Sequence, residues 1–80
     1  MNKENLDKKL AKWEANAKTC IKWLAVDANG EVFGYNTKPN VERLAGWWGG
    51  DRYSIILGIT DDEDLRKNWD KTLRKVNYEQ

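Results

Sequence analysis

Few residues in this chain have side chains that could catalyse a reaction or hold a metal ion. The 80 residues include no histidine and a single cysteine, Cys20. The chain therefore lacks the usual general base of a nucleophilic triad and the commonest metal ligand. One cysteine supplies neither a Cys-rich zinc site nor an intrachain disulfide, and no stretch fits the glycine patterns that bind phosphate groups. We predict a protein that is not an enzyme and that has no metal or cofactor.

The consecutive acidic residues 61–64 are the one cluster that could suggest a metal site. They lack the alternating ligand spacing of a calcium loop. They also stand where a helix is predicted to begin, and the helix dipole favours negative side chains there. We interpret them as helix-start residues.

The stretch RLAGWWGGDRY, residues 43–53, is the best candidate for a binding site. Adjacent residues of an extended segment point in opposite directions, so Trp47 and Trp48 are not expected to enter the core together. Either one ring anchors the loop while the other packs over the sheet, or one ring stays exposed as a contact for a partner. Trp, Tyr and Arg are enriched in interface hot spots. The predicted partner-binding residues are Lys38, Arg43, Trp47, Trp48, Asp51, Arg52 and Tyr53.

Periodicity predicts the elements that must position this stretch. Leu6, Leu10, Trp13 and Ala17 share one face of a helix over about residues 3–18. At the other end, TDDEDLRKNWDKTLRKV, residues 60–76, predicts a second amphipathic helix that begins with a Thr60–Glu63 capping box. Its predicted buried stripe contains Leu65, Trp69, Leu73 and Val76.

Residues 19–36, TCIKWLAVDANGEVFGYN, predict a β-hairpin. The DANG segment fits a three-residue turn with Gly30 in the left-handed region, which places Trp23 opposite Tyr35 and Ala25 opposite Phe33. A two-residue Asn-Gly turn, which would shift this pairing by one residue, is the alternative. In the first register, one face carries Ile21, Trp23, Ala25, Phe33 and Tyr35, and the other carries Lys22, Leu24, Val26, Val32 and Gly34.

A third strand, RYSIILGI, is predicted over residues 52–59, with Tyr53, Ile55, Leu57 and Ile59 on one face. Residues 37–51 are predicted to be an irregular loop. The chain is thus expected to form one domain, residues 1–80, of the α+β class: α-β-β-β-α, with a three-stranded antiparallel meander packed by two amphipathic helices. Helices on one side would leave an apolar sheet face, to be covered by the 37–51 loop, a second copy or a partner.

Charge is unevenly distributed, although the net charge is only +1. Residues 23–64 contain three basic and eight acidic residues, whereas both ends are basic. Nucleic-acid-binding domains are normally basic overall. The double-stranded-RNA-binding domain has the same element order, but it presents lysines at the start of its second helix, where this chain has acidic residues 61–64. No apolar run approaches the roughly 18 residues of a membrane span, and the absence of a disulfide framework favours an intracellular location.

Residues 22–76 resemble a group of small uncharacterised proteins encoded by bacteriophages and prophages. These share the hairpin motif W-[LI]-A-x-D-x-[ND]-G-x-V-x-x-Y-x-x-K-P, a tryptophan in the following loop, a Y-x-x-[IL]-G strand and a final W-x-x-[ST]-L segment. In this chain the motif residues are Trp23, Asp27, Gly30, Val32, Tyr35, Lys38, Pro39, Trp48, Tyr53, Gly58, Trp69 and Leu73. The resemblance implies action in the cytoplasm of a bacterial host and implies no particular activity.

Three functions are compatible with these observations. The first is a non-enzymatic phage accessory protein that binds a host protein, for example to inhibit a defence system, through the aromatic loop and the acidic middle of the chain. The second is nucleic-acid binding, with Trp48 stacked on a base and phosphates bound by Lys8, Lys9, Lys12, Lys71, Arg74 and Lys75. The third is capture of a nucleotide signal by the tryptophan loop, between two copies of the chain.

Overall fold

The computed structural model describes residues 3–15, 21–49 and 54–76. The first helix, α1, spans Lys3–Glu14, and the predicted extension over residues 16–18 lies outside the described residues. The elements that follow are β1 (Trp23–Val26), β2 (Glu31–Tyr35), β3 (Asn40–Glu42), β4 (Trp47–Gly49), β5 (Ile55–Ile59), α2 (Glu63–Lys67), a 3₁₀ turn (Trp69–Lys71) and β6 (Arg74–Lys75).

The described strands form two antiparallel sheets. The larger sheet has four strands in the order β5-β2-β1-β6, and β3 and β4 form a separate two-stranded sheet. The α+β class and the antiparallel pairing of the three predicted strands are confirmed. The α-β-β-β-α meander itself is wrong, because a hairpin is inserted between β2 and β5 and a further strand pairs with β1.

The β1–β2 hairpin has the predicted three-residue turn. Trp23 pairs with Tyr35 and Ala25 pairs with Phe33, so the two-residue alternative is wrong. Gly30 has a φ of +94°, and a Cβ atom there would lie 2.7 Å from the carbonyl oxygen of Thr60. Glycine is required at this position both for the backbone conformation and for the close approach of the next chain segment.

The segment predicted to be an irregular loop contains the β3–β4 hairpin instead. Val41 pairs with Trp48, and Glu42 pairs with Trp47. The chain reverses at residues 43–46, where Gly46 has a φ of +85°. Successive side chains of a strand point to opposite faces. The extended conformation of β4 therefore lets one of the two indoles be buried while the other faces outward.

The long C-terminal helix predicted for residues 60–76 is wrong. Helix α2 ends at Lys67, and the N-cap is Asp62, whose side chain accepts hydrogen bonds from the backbone N–H groups of Asp64 and Leu65. The Thr60–Glu63 capping box is therefore not formed. The chain then turns so that Thr72 is fully buried.

Thr72 explains why a helix does not continue. Its hydroxyl group accepts a hydrogen bond from the backbone N–H of Val26 at 2.8 Å and lies 2.6 Å from the carbonyl oxygen of Trp69. The next residues form β6 and pair with β1, Leu24 opposite Arg74. Strand pairing along β1 thus overrides a sequence pattern that is typical of a helix.

The third predicted strand is β5, but its facing pattern differs from simple alternation. A bulge interrupts the register between Val32 and Phe33, so that Phe33 pairs with Ile56 and Glu31 pairs with Ile59. Ile59 therefore does not share a face with Leu57, contrary to the prediction, because a bulge inserts one extra residue on one strand. Tyr53, which was predicted on the same face, lies outside the described residues.

The four-stranded sheet has an apolar cluster on each side. The first cluster contains Leu24, Val26 and Val32 from the sheet and is covered by Leu6 and Leu10 of α1 and Leu65 of α2. Ile21 also belongs to this cluster and packs against Gly34, so its predicted placement beside Trp23 is wrong. The second cluster contains Ala25, Tyr35 and Trp48, with Trp23, Phe33, Val41, Trp69 and Leu73 packed around it.

Candidate protein-binding site

Trp48 covers the second sheet face and is part of the core, with 8% of its surface exposed. Its indole N–H donates to the carbonyl oxygens of Val26, at 3.0 Å, and Trp69, at 3.2 Å. The ring meets that of Trp69 edge to face, with centroids 6.3 Å apart. The β3–β4 hairpin is thus the segment that covers the open sheet face, and Trp48 cannot stack on a base from this position.

Trp47 faces away from this packing, and 54% of its surface is exposed. Of the two alternatives considered from the sequence, the structure fits the second: Trp48 packs over the sheet, and Trp47 stays exposed. Strand alternation places the two rings on opposite faces, and the hydrogen bonds of Trp48 determine which ring is buried.

A notch lies beside Trp47, between the β1–β2 turn and the β3–β4 turn. Its volume is about 350 Å³. The two turns are joined by a hydrogen bond from the backbone N–H of Ala28 to the carbonyl oxygen of Gly46, at 2.9 Å. We call this feature the acidic notch; its lining residues are Asp27, Ala28, Asn29, Glu31, Phe33, Ala45, Gly46 and Trp47.

Asp27 is the buried carboxylate of the acidic notch, with 7% of the residue exposed. It accepts a hydrogen bond at 3.0 Å from the backbone N–H of Trp48. Burial raises the pKa of Asp27; the hydrogen bond from Trp48 opposes this shift, and the negative charge of Glu31 adds to it. Burial, followed by the charge of Asp27, also raises the pKa of the Tyr35 hydroxyl.

An apolar strip continues from the acidic notch to the edge of the sheet. Ile56 is 50% exposed and Ile59 is 65% exposed. Residues paired across a ladder lie on the same face, so Ile56 lies beside Phe33, and Ile59 lies beside Glu31. Since Phe33 also lines the notch with Trp47, the strip comprises Trp47, Phe33, Ile56 and Ile59.

Sequence reasoning missed Glu31, Phe33, Ile56 and Ile59 as site residues. The hairpin register placed Phe33 on the correct face, but simple alternation was assumed along IILGI and the bulge in β5 was missed. Gly58 was the available signal, since a glycine inside a strand often marks a bulge.

The other predicted site residues are dispersed. Lys38 places its ammonium group 5.6 Å from the ring centroid of Trp23. Arg43 lies 3.4 Å from the carboxylate of Asp70. Asp51, Arg52 and Tyr53 lie outside the described residues. Of the four predicted site residues that the structure describes, Trp47 is the one at the exposed surface beside the acidic notch.

Part of the basic surface considered for nucleic acid is engaged in ion pairs. Lys9 pairs with Asp62 and lies 3.8 Å from Asp64. Arg74 lies 3.5 Å from Glu14 and 3.8 Å from Asp7. These contacts leave fewer of the six basic residues available for phosphate groups.

The described part of the chain contains no group of three or more acidic, cysteine or histidine residues placed to hold a metal ion. Over the same residues, no helix has the length and apolar character needed to cross a membrane. Comparison with protein-family models, with curated proteins and with solved structures finds no match for this chain.

Proposed function

We propose that this protein is a non-enzymatic accessory protein, encoded by a phage, that binds a bacterial host protein in the cytoplasm of the host. The apolar strip is the observation that supports binding. Three of its four residues are each at least half exposed: Trp47, Ile56 and Ile59. Contiguous exposed apolar surface of this kind commonly marks a protein interface.

The position of the strip also fits a protein partner. β5 is an edge strand whose outer side pairs with no other strand among the described residues. Apolar edge strands are usually protected by charges or prolines, but Ile55–Ile59 contains neither. The opposite edge, β6, is short and basic. A partner that covers the β5 edge would bury the isoleucines that this chain leaves exposed.

The acidic notch at one end of the strip supplies polarity to an otherwise apolar contact. An apolar centre with a charged rim is the usual composition of protein interfaces. Tryptophan is a typical hot-spot residue when a partner buries it. The negative rim would also accelerate encounter with a positively charged partner surface.

Capture experiments with single variants test this proposal. The native chain is immobilised and exposed to bacterial lysate, beside Trp47→Ala, Ile56→Ser and the control Ile55→Ser. Ile55 is the neighbour of Ile56 but pairs with Gly34 and lies on the opposite sheet face. We expect the native chain and the control to retain a specific protein, and the other two variants to weaken its binding about tenfold or more.

Circular dichroism and thermal unfolding of each variant would confirm that the fold is retained. Equal capture of the same protein by all four chains would contradict the proposed surface. The nucleic-acid alternative would be favoured if the chain retained nucleic acid instead. Its affinity should then fall steeply as salt increases and should be unchanged by Trp47→Ala.

A further inference from the structure

The ionisable side chains that line the acidic notch are all acidic. Asp27 and Glu31 contribute carboxylates, and no lysine or arginine lines the notch. Glu42, opposite Trp47 in the β3–β4 ladder, adds a carboxylate beside the indole. Within the described residues, none of these three groups forms an ion pair. The notch is therefore negatively charged and lacks a counter-ion from the described part of the chain.

Two described arginines, Arg66 and Arg43, do not supply that charge. Arg66 packs close to Gly30 but forms no ion pair with a described carboxylate. Arg43, in the β3–β4 turn, is paired with Asp70. Among the described residues no ion pair neutralises the notch, so a cation of another molecule can supply that charge.

Trp47 provides a second recognition element in the same place. A cation over an indole face is attracted by the quadrupole of the ring, and the molecule uses this contact at Trp23, where Lys38 lies over the ring. No described cation lies over Trp47 in this way. An exposed indole and two carboxylates that form no ion pair with a described residue thus line one cavity.

We propose that the acidic notch binds an arginine side chain of the partner protein, with the guanidinium group between the Glu31 carboxylate and the indole of Trp47. A guanidinium is planar, donates two parallel hydrogen bonds to a carboxylate and stacks on aromatic rings, whereas an ammonium is a strongly hydrated point charge. This inference rests on the proposed function and specifies the chemistry of the partner at one end of the apolar strip.

The notch is held in shape before binding. Ala28 donates a backbone hydrogen bond to Gly46, and Trp48 donates one to the side chain of Asp27, so both turns are fixed relative to each other. Asn29 donates a side-chain hydrogen bond to Glu31, which limits the freedom of that carboxylate. A preformed site lowers the conformational entropy that binding must overcome.

Nuclear magnetic resonance titration with tripeptides tests the assignment directly. The probes are acetyl-Gly-Arg-Gly-amide and its citrulline and lysine counterparts; citrulline has nearly the same shape as arginine without the charge. We expect the arginine peptide to shift the indole N–H signal of Trp47 and the backbone signals of residues 27–31. The citrulline peptide should leave these signals unchanged, and the lysine peptide should bind more weakly.

Two variants and a matched control locate the interaction. Glu31→Gln and Trp47→Ala should each weaken binding of the arginine peptide about fivefold, the order expected for one partly exposed contact with a charged group. Glu4→Gln removes one charge from the exposed surface of α1 and should bind as the native chain does. Equal binding of arginine and citrulline peptides, no shift at millimolar peptide, or shifts centred on residues 61–64 would overturn the assignment.

The two proposals can fail separately. If Trp47→Ala and Ile56→Ser abolish capture of a host protein but no arginine peptide binds the notch, the arginine assignment is wrong and the protein-binding surface stands. If the arginine peptide binds the notch but the variants capture the same proteins as the native chain, the notch is a cation site and the proposed function is wrong.

Discussion

Two neighbouring indoles in this chain have opposite roles, and the difference lies in their hydrogen bonds. The Trp48 N–H group is satisfied by two buried carbonyl oxygens, and its backbone N–H bonds to Asp27. Trp47 has no hydrogen bond of this kind within the described residues and stays exposed. Loss of the first ring should therefore damage the fold, and loss of the second should affect binding.

We expect Trp48→Ala to lower the free energy of unfolding by about 3–5 kcal/mol, since it removes a large buried ring and leaves a cavity. For a domain of this size that change could abolish folding. Trp48→Phe, which keeps most of the ring and loses its N–H group, should cost about 1–3 kcal/mol. Trp47→Ala should cost less than about 1 kcal/mol. Urea unfolding followed by circular dichroism measures all three; equal losses for the two alanine variants would contradict the assigned roles.

At the scale of elements, Lys9 of α1 joins the start of α2: it pairs with Asp62 and lies 3.8 Å from Asp64. The Lys9 ammonium donates a hydrogen bond to the Asp62 carboxylate, and Asp62 is also the N-cap of α2. This hydrogen bond is the main cause of the lowered pKa of Asp62, and it raises the pKa of Lys9. One acidic residue therefore starts the short helix and attaches it to the first.

The contribution of this pair to the free energy of unfolding should depend on pH in a defined direction. Because the pKa of Asp62 is lowered in the folded state from 3.8, its contribution is present above that pH and is lost as the pH falls through the folded-state pKa. Because the pKa of Lys9 is raised from 10.5, its contribution is present below that pH and is lost as the pH rises through the folded-state pKa.

Asp62→Asn retains a capping oxygen and removes the charge. We expect its free energy of unfolding to fall less steeply than that of the native chain as the pH is lowered below about 5, a range set by carboxylate titration. Urea unfolding at a series of pH values measures the slope. The control, Asp61→Asn, changes an exposed neighbour and should keep the native slope. A native slope for Asp62→Asn would show that the pair does not contribute.

At the scale of the whole molecule, the four-stranded sheet is a central layer with unequal cover. β1 lies between β2 and β6, and Leu24, Ala25 and Val26 are fully buried. β5 forms an edge with exposed isoleucines on it. The sheet is therefore well packed at β1 and less covered along the apolar strip, which is where the proposed partner binds.

Hydrogen exchange of backbone amides should follow this gradient. Amides at the centre of β1 should exchange most slowly, because they open only with the whole domain, and those of β5 should exchange faster through local opening. Nuclear magnetic resonance of the native chain in deuterated water measures both sets. Equal protection of β1 and β5 would contradict the unequal cover, whereas added partner should slow exchange in β5.

Local sequence determined the parts of this protein that depend on neighbouring residues. The DANG turn and the alternating strands around it predicted the correct hairpin register. Gly30 favours the three-residue turn, and the turn length determines which strand residues pair. The adjacent tryptophans indicated that the two rings would not both enter the core, and left open whether one would stay exposed. The absence of histidine, together with a single cysteine, limits the chemistry that any fold of this chain could perform.

Tertiary structure decided what local patterns left open. Residues 60–76 have helical spacing, but Thr72 bonds to β1 and the following residues pair with it, and such long-range hydrogen bonds leave no local signal. The bulge in β5 placed Ile56 and Ile59 beside the acidic notch, which itself joins two turns that are separated along the chain. The candidate site could not be predicted in full, because it is assembled by contacts between segments whose relative positions only the packed sheet fixes.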